Sequence, residues 1–416
     1  MSRTSKFVKS SEELVAATND NAIGQIMVES DLSGLPSISL MPGQMLRSCS
    51  EKRSTLTFRE DSDGLRLSFD NAVIGLDLAV SPERRAIWNN ADVEDLGRIS
   101  IQSLQTVGRV QIAATERIQK GHVEVDDLHI LEADTRSEPQ RPRGYGVYVL
   151  QGAFTLWNMQ PDKHVVLTAD LKNISVGRFG SPVFGSGIFV GGTNNGGRLN
   201  VQRLETRAIY VNRGIRADTS DQITGGVFIV SGAQVDAVTN RGPVVTYGAN
   251  DMALDNWGVV DRWVAKEKIT TLGASGIGFV NFGTLLDLRV EAPIETFGQG
   301  ARGFNVYDGT VHRAEFDRIV THGDGAVGVQ ISQPIGTIVV RRGIETFGSV
   351  GPSLVKGVLQ NLPAIALSIK PGGTVQFIKI EGGLRCHGRD IVPLEQLGRV
   401  QGLIIEGGFE HIEIQS

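Results

Sequence analysis

The sequence predicts an all-β fold: a right-handed, single-stranded parallel β-helix wound from coils of about 25 residues, with a short N-terminal helical cap. Three observations lead there. Five segments align on a central glycine, at Gly248, Gly273, Gly298, Gly323 and Gly348, each 25 residues after the last. Between the anchors the apolar runs are short and alternating, as in Gly303-Phe304-Asn305-Val306-Tyr307, and are broken by glycine, proline and Asp-Gly pairs. No amphipathic stretch of ten or more residues recurs at helical spacing, which argues against a helical solenoid.

The elements follow in chain order. Ser11, followed by Glu12-Glu13-Leu14-Val15-Ala16-Ala17, reads as the N-cap and first turns of a helix. A solenoid must cover its open end against edge pairing, so residues 1–30 are expected to form the cap and 31–416 the solenoid. Upstream of the anchors a Gly-apolar-x-apolar motif recurs from Gly146, Gly187 and Gly226. These wider spacings imply insertions between coils in the front half. Downstream, Glu381 and Glu406 lie 25 apart, each followed by Gly-Gly. The stretch Gly191–Gly197 (GGTNNGG) is read as a turn, because no lysine or helix follows that would make it a phosphate loop. Trp157 fits core or platform equally.

Composition agrees. With 51 glycines, 40% apolar residues and only 6% aromatics, the chain suits many short strands and turns over a long core. Its 41 basic and 46 acidic residues are interspersed, so neither nucleic acid nor an anionic membrane is an expected partner. The two cysteines lie in no C-x-x-C pattern, and no metal or cofactor is expected. The first twenty residues lack the apolar core of a signal peptide, so a soluble cytoplasmic protein is expected, with export by another route left open.

The glycine ladder and the paired Ile-Glu-Gly-Gly turns at Ile380–Gly383 and Ile405–Gly408 resemble the pectin-lyase-like superfamily of parallel β-helices. That resemblance implies polysaccharide lyases, glycoside hydrolases, esterases and epimerases, with tailspikes and adhesins beside them. It concerns architecture. The polygalacturonase pattern finds only Asn250-Asp251, Thr321-His322-Gly323-Asp324 and Ile378-Lys379-Ile380, and the pectate-lyase calcium cluster has no counterpart, so no catalytic residue carries over.

Candidate residues therefore come from the stacked columns, with successive coils about 4.8 Å apart. The residue before each anchor gives Tyr247, Leu272, Phe297, His322 and Phe347. His322, with Asp324 nearby, is either a stacked structural histidine or catalytic. Six residues after each anchor, Leu254, Phe279, Phe304, Val329 and Leu354 form a core column. One residue further on, Asp255, Val280, Asn305, Gln330 and Val355 should face outwards, as should Trp257, Phe282 and Tyr307 two places beyond. Outward aromatics beside polar groups suit a sugar-binding groove along the helix side, the rings stacking on pyranoses and the polar groups bonding hydroxyls. The expected function is cleavage or rearrangement of a glycosidic linkage. Asp251, Asp255, Asp308, Asp324 and His322 are the catalytic candidates; Tyr247, Asn250, Trp257, Arg302, Asn305, Tyr307 and Gln330 are the substrate-binding ones. A lyase would draw its base from Arg302, Tyr307 or Lys356. The rival class is a non-catalytic binding or structural solenoid, tailspike- or adhesin-like, and outward apolar columns would suit a homotrimer.

Overall fold

The computed structural model describes residues 3–50, 52–115, 117–216, 219–355 and 357–411. Its strands fall almost wholly into two large parallel sheets, of 26 and 15 strands, and the architecture is a parallel β-helix. One regular coil shows the plan. Val259–Ala265 forms a seven-residue strand, Ile269–Thr271 a three-residue strand after a sharp corner, and Ile277–Asn281 a five-residue strand on another face. Each pairs in parallel with its equivalent one coil on: Val260 with Leu285, Ile269 with Ile294, Phe279 with Phe304. The long and short strands belong to the larger sheet and the five-residue strands to the smaller. Inward residues of all three, such as Val260, Ile269 and Phe279, are fully buried in one continuous core.

The anchor glycines have a steric cause. A Cβ on Gly273 would lie 1.9 Å from the Gly248 carbonyl oxygen, and one on Gly298 would lie 1.8 Å from that of Gly273. Stacked corners approach so closely that only glycine fits. The Ile-Glu-Gly-Gly corners are glycine-bound for another reason: Gly383 and Gly408 have φ of +83° and +73°, in the left-handed region.

At the N-terminus α1 spans Ser11–Thr18, but its cap is Ser10 and not Ser11. Ser10 Oγ accepts from the Glu13 amide at 3.2 Å, and the Glu13 carboxylate accepts from the Lys9 amide at 2.7 Å. That reciprocal pair satisfies two donors at once, which Ser11 could not do from inside the first turn. The Ser11 hydroxyl instead donates to the Ser33 carbonyl. Leu14 and Ala17 are buried. Within residues 1–30, the strands Thr4–Val8 and Ile23–Val28 already pair in parallel, and the second pairs with Met45–Ser48.

Two expectations about strands change. Val147–Val149, read as a coil strand from Gly146, is half of a short antiparallel hairpin with Arg143–Gly144; the coil strand there is Gly152–Asn158. Leu354 is not in the core column. Gly351–Val355 pairs antiparallel with Val358–Leu362 in an inserted hairpin, and Leu367 takes the core place beside Val329. Lys356 lies outside the described residues.

Candidate functional site

The two hairpins flank a half-open cavity of about 200 Å³ over the five-residue strands. Its floor comes from three successive coils: Asn250, Met252 and Asp255, then Ile277, Val280 and Phe282, then Tyr307 and Asp308. Tyr145 and Val147 of the first hairpin form one wall, Leu354 of the second another.

The first hairpin is seated by aromatic packing. Gly144 rides directly on Trp257, where a Cβ would meet the indole at 2.4 Å. The Tyr145 ring packs edge-on against Trp257 at 5.1 Å and tilts over Phe282 at 4.4 Å, while Phe282 stacks on Tyr307 at 5.4 Å. Trp157 joins the same cluster through Phe189, its indole N–H donating to the Gly192 carbonyl. The second hairpin is held by polar contacts. Arg302, fully buried, donates to Ser353 Oγ at 2.9 Å, Ser353 donates to the Gly300 carbonyl, and the Leu354 amide donates to Ser275 Oγ.

This arrangement corrects the outward columns. Asp255, Asn305 and Gln330 do lie on the outer side of their strands, but with Trp257 and Tyr307 they are buried, at 0–8% exposure. Sequence periodicity gives the side of a strand and not what a distant insertion lays over it.

Asp255 is the distinctive group. It is fully buried, and neither carboxyl oxygen has a hydrogen-bond partner. Burial pushes its pKa well above the usual carboxylate range, and the nearby Trp257 indole opposes this only in part. Asp255 therefore holds its proton more tightly than an ordinary carboxyl, at the cavity wall. Asp308 is half-buried on the same cavity, with its Oδ1 accepting from the Gly309 amide at 2.9 Å. Tyr145 stands in the field of both: desolvation, then Asp308 and Asp255, raise its hydroxyl pKa.

The other candidates separate. Asp251 does not line the cavity: its oxygens accept from Thr224 Oγ1 at 2.5 Å, the Gly248 amide at 2.7 Å and the Arg213 amide at 3.1 Å. Burial nevertheless raises its pKa to about 6. Asn250 reaches the cavity while its amide donates to the Gln222 carbonyl. Asn305 is buried with both side-chain polar atoms unpartnered. His322 sits at the glycine corner in a stack, 4.5 Å from Phe297 and 5.0 Å from Phe347, with Nε2 2.8 Å from Glu295. Asp324 accepts from the Ser349 amide, and Tyr247, next after the corner strand Val244–Thr246, donates its amide to the Val211 carbonyl. The site thus joins Asn250, Asp255, Tyr307 and Asp308, backed by Trp257, and leaves Asp251, His322, Asp324 and Tyr247 elsewhere.

Tyr145 was not among the sequence candidates, since nothing local ties residue 145 to coils more than a hundred residues on.

A second polar cluster, Ser175–His129–Asp127, has triad-like distances of 2.6 and 3.1 Å. Arg207 lies 3.0 Å from the same His129 Nε2 and pairs with Asp127 at 2.9 Å, so the Asp127 carboxylate is shared between the imidazole and a guanidinium. Among the described residues no group of three or more His, Cys, Asp or Glu side chains converges to hold a metal ion. No family model, no curated protein and no solved structure matches the chain.

Proposed function

We propose that the protein is a carbohydrate-active enzyme that hydrolyses a glycosidic linkage, with Asp255 as general acid and Asp308 as the base that activates water. The observation that carries this reading is the Asp255 carboxyl: buried, unpartnered, with its pKa raised by desolvation, and placed on a cavity wall. A buried polar group without a partner is costly unless a ligand supplies one. A glycosidic oxygen would do so by accepting the Asp255 proton as the C–O bond breaks. The attacking water gives its proton to Asp308 and its oxygen to the anomeric carbon. Asp255 is in register with Asn305 two coils on, an axial offset of roughly 10 Å, and Asp308 lies three residues beyond Asn305, in the turn after the strand Arg302–Val306. The separation is wider than the roughly 5–5.5 Å of retaining enzymes, which leaves the inverting arrangement, at roughly 6.5–9.5 Å, as the nearer one.

The test is a screen of the purified chain against neutral and uronate-containing oligo- and polysaccharides, reading new reducing ends and absorbance near 235 nm. Reducing ends that vanish in Asp255→Asn and Asp308→Asn support the hydrolase. Rising absorbance would move the reading to a lyase. The second reading is a non-catalytic binding solenoid, favoured by the largely apolar lining, among it Val147, Met252, Ile277, Val280 and Leu354. Silence across the panel would put it first.

A further inference from the structure

We infer that the site takes a single terminal ring of a saccharide chain and not an internal segment, so that cleavage proceeds from a chain end. This rests on the glycosidase reading above. An interior-acting solenoid enzyme needs an open groove in which several rings lie across successive coils. The column that would floor such a groove here runs Thr155, Phe189, Phe228, Asp255, Val280, Asn305, Gln330 and Ser368, paired coil to coil. Every one of these residues is buried, with exposures of 0–4%. Of this column only Asp255 and Val280 line the cavity, so the column floors it over two coils and stops at Phe228 on one side and Asn305 on the other.

The hairpins show how the cavity ends. The first pairs Tyr148 and Val149 with Gln222 and Ile223, one coil before Asp255, and the Tyr145 hydroxyl donates to the Phe282 carbonyl at 3.3 Å. The second fastens to Ser275, Gly300 and Arg302 on the next coils. Both therefore grip the coil of Ile277–Asn281, one just before that strand and one just after it. The volume agrees: a cavity of about 150 Å³ holds one benzene-sized ring, and the half-open cavity of about 200 Å³ here is of the size of one substituted six-membered ring.

The test uses the full chain and whichever oligosaccharide series the screen shows to be cleaved, with products resolved by size at early times. The expected result is single-residue product from the first time point, with the substrate shortening one residue at a time. A spread of internal fragments would overturn the end-acting mode while leaving the hydrolase standing; no cleavage of any substrate would overturn both. A variant with residues 351–362 replaced by a short turn, checked for its β-sheet spectrum, should gain internal fragments. If it folds, cleaves and still releases single residues only, the second hairpin does not close the site and the inference fails.

Discussion

The glycine corner and the cavity face belong to the same coils, yet they are built in opposite ways. At the corner each coil repeats the last: Thr246, Thr271, Thr296, Thr321 and Thr346 stack in register, with Cys386 continuing the column. Their neighbours Phe297, His322, Phe347 and His387 form one ring stack with separations of 4.2–5.0 Å. On the cavity face the column changes at each coil from Phe228 through Asp255, Val280, Asn305 and Gln330 to Ser368, and segments from more than a hundred residues before and about a hundred after lie over it. The corner is set by backbone contact between neighbours. The face is free to vary because its partners come from insertions, and the unpartnered acid is found there.

The comparison can be broken most forcefully at the corner. Gly298→Ala places a methyl 1.8 Å from the Gly273 carbonyl oxygen, where no side chain can yield. We expect a loss of more than about 4 kcal/mol or failure to fold, read by thermal or urea melting. A mild effect would mean that the stack is looser than its contacts imply.

On the face, Asp255→Asn should cost at least about 100-fold in turnover while the chain stays folded. Its effect on stability has the opposite sign. Because burial raises the Asp255 pKa, the folded state holds that proton more tightly than the unfolded chain does. Wild-type stability therefore falls as pH rises from about 4 towards the raised value. The variant should melt higher than wild type at pH 8, with the gap closing by about pH 4. Asp251, whose pKa is also raised, to about 6, adds a fall in stability of the same sign between pH ~4 and 6 in variant and wild type alike. Equal melting of variant and wild type at both pH values would show that Asp255 is hydrated and ionised.

Gly144→Val tests the first hairpin. Its side chain would collide with the Trp257 ring and lift the wall from the cavity. Activity should fall by about tenfold or more, as misplacement of binding groups does. The melting point should shift little, since the hairpin lies outside the continuous core.

The smallest effects distinguish positions within the corner itself. Thr271 Oγ1 is buried without a partner, whereas Thr321 Oγ1 donates to the Ala326 carbonyl at 3.0 Å. Thr271→Val should be neutral or stabilising by up to about 1 kcal/mol, and Thr321→Val should destabilise by about 1 kcal/mol. His322→Phe should preserve the stack and leave catalysis unchanged; a loss of turnover there would return His322 to the candidate site.

Sequence alone determined the solenoid, its 25-residue coil and the side of the strand on which Asp255, Asn305 and Tyr307 stand. The physical reason is local. Stacked backbones exclude a Cβ at the corners, and a two-residue period assigns each side chain to core or exterior. Even so the ladder was read one rung short: Cys386-His387-Gly388 continues it, displaced because the hairpin of residues 351–362 lengthens that coil. A Cβ on Gly388 would lie 2.1 Å from the Gly348 carbonyl oxygen, the same close approach as at the earlier anchors. Tertiary structure alone decided that the outward column is covered, that Asp251 is bound into a turn while Asp255 is left without a partner, and that Tyr145 joins them. Each of these depends on which distant segment settles over a surface. That is fixed by packing between Gly144 and Trp257 or between Ser353 and Arg302, and no periodicity in the chain records it.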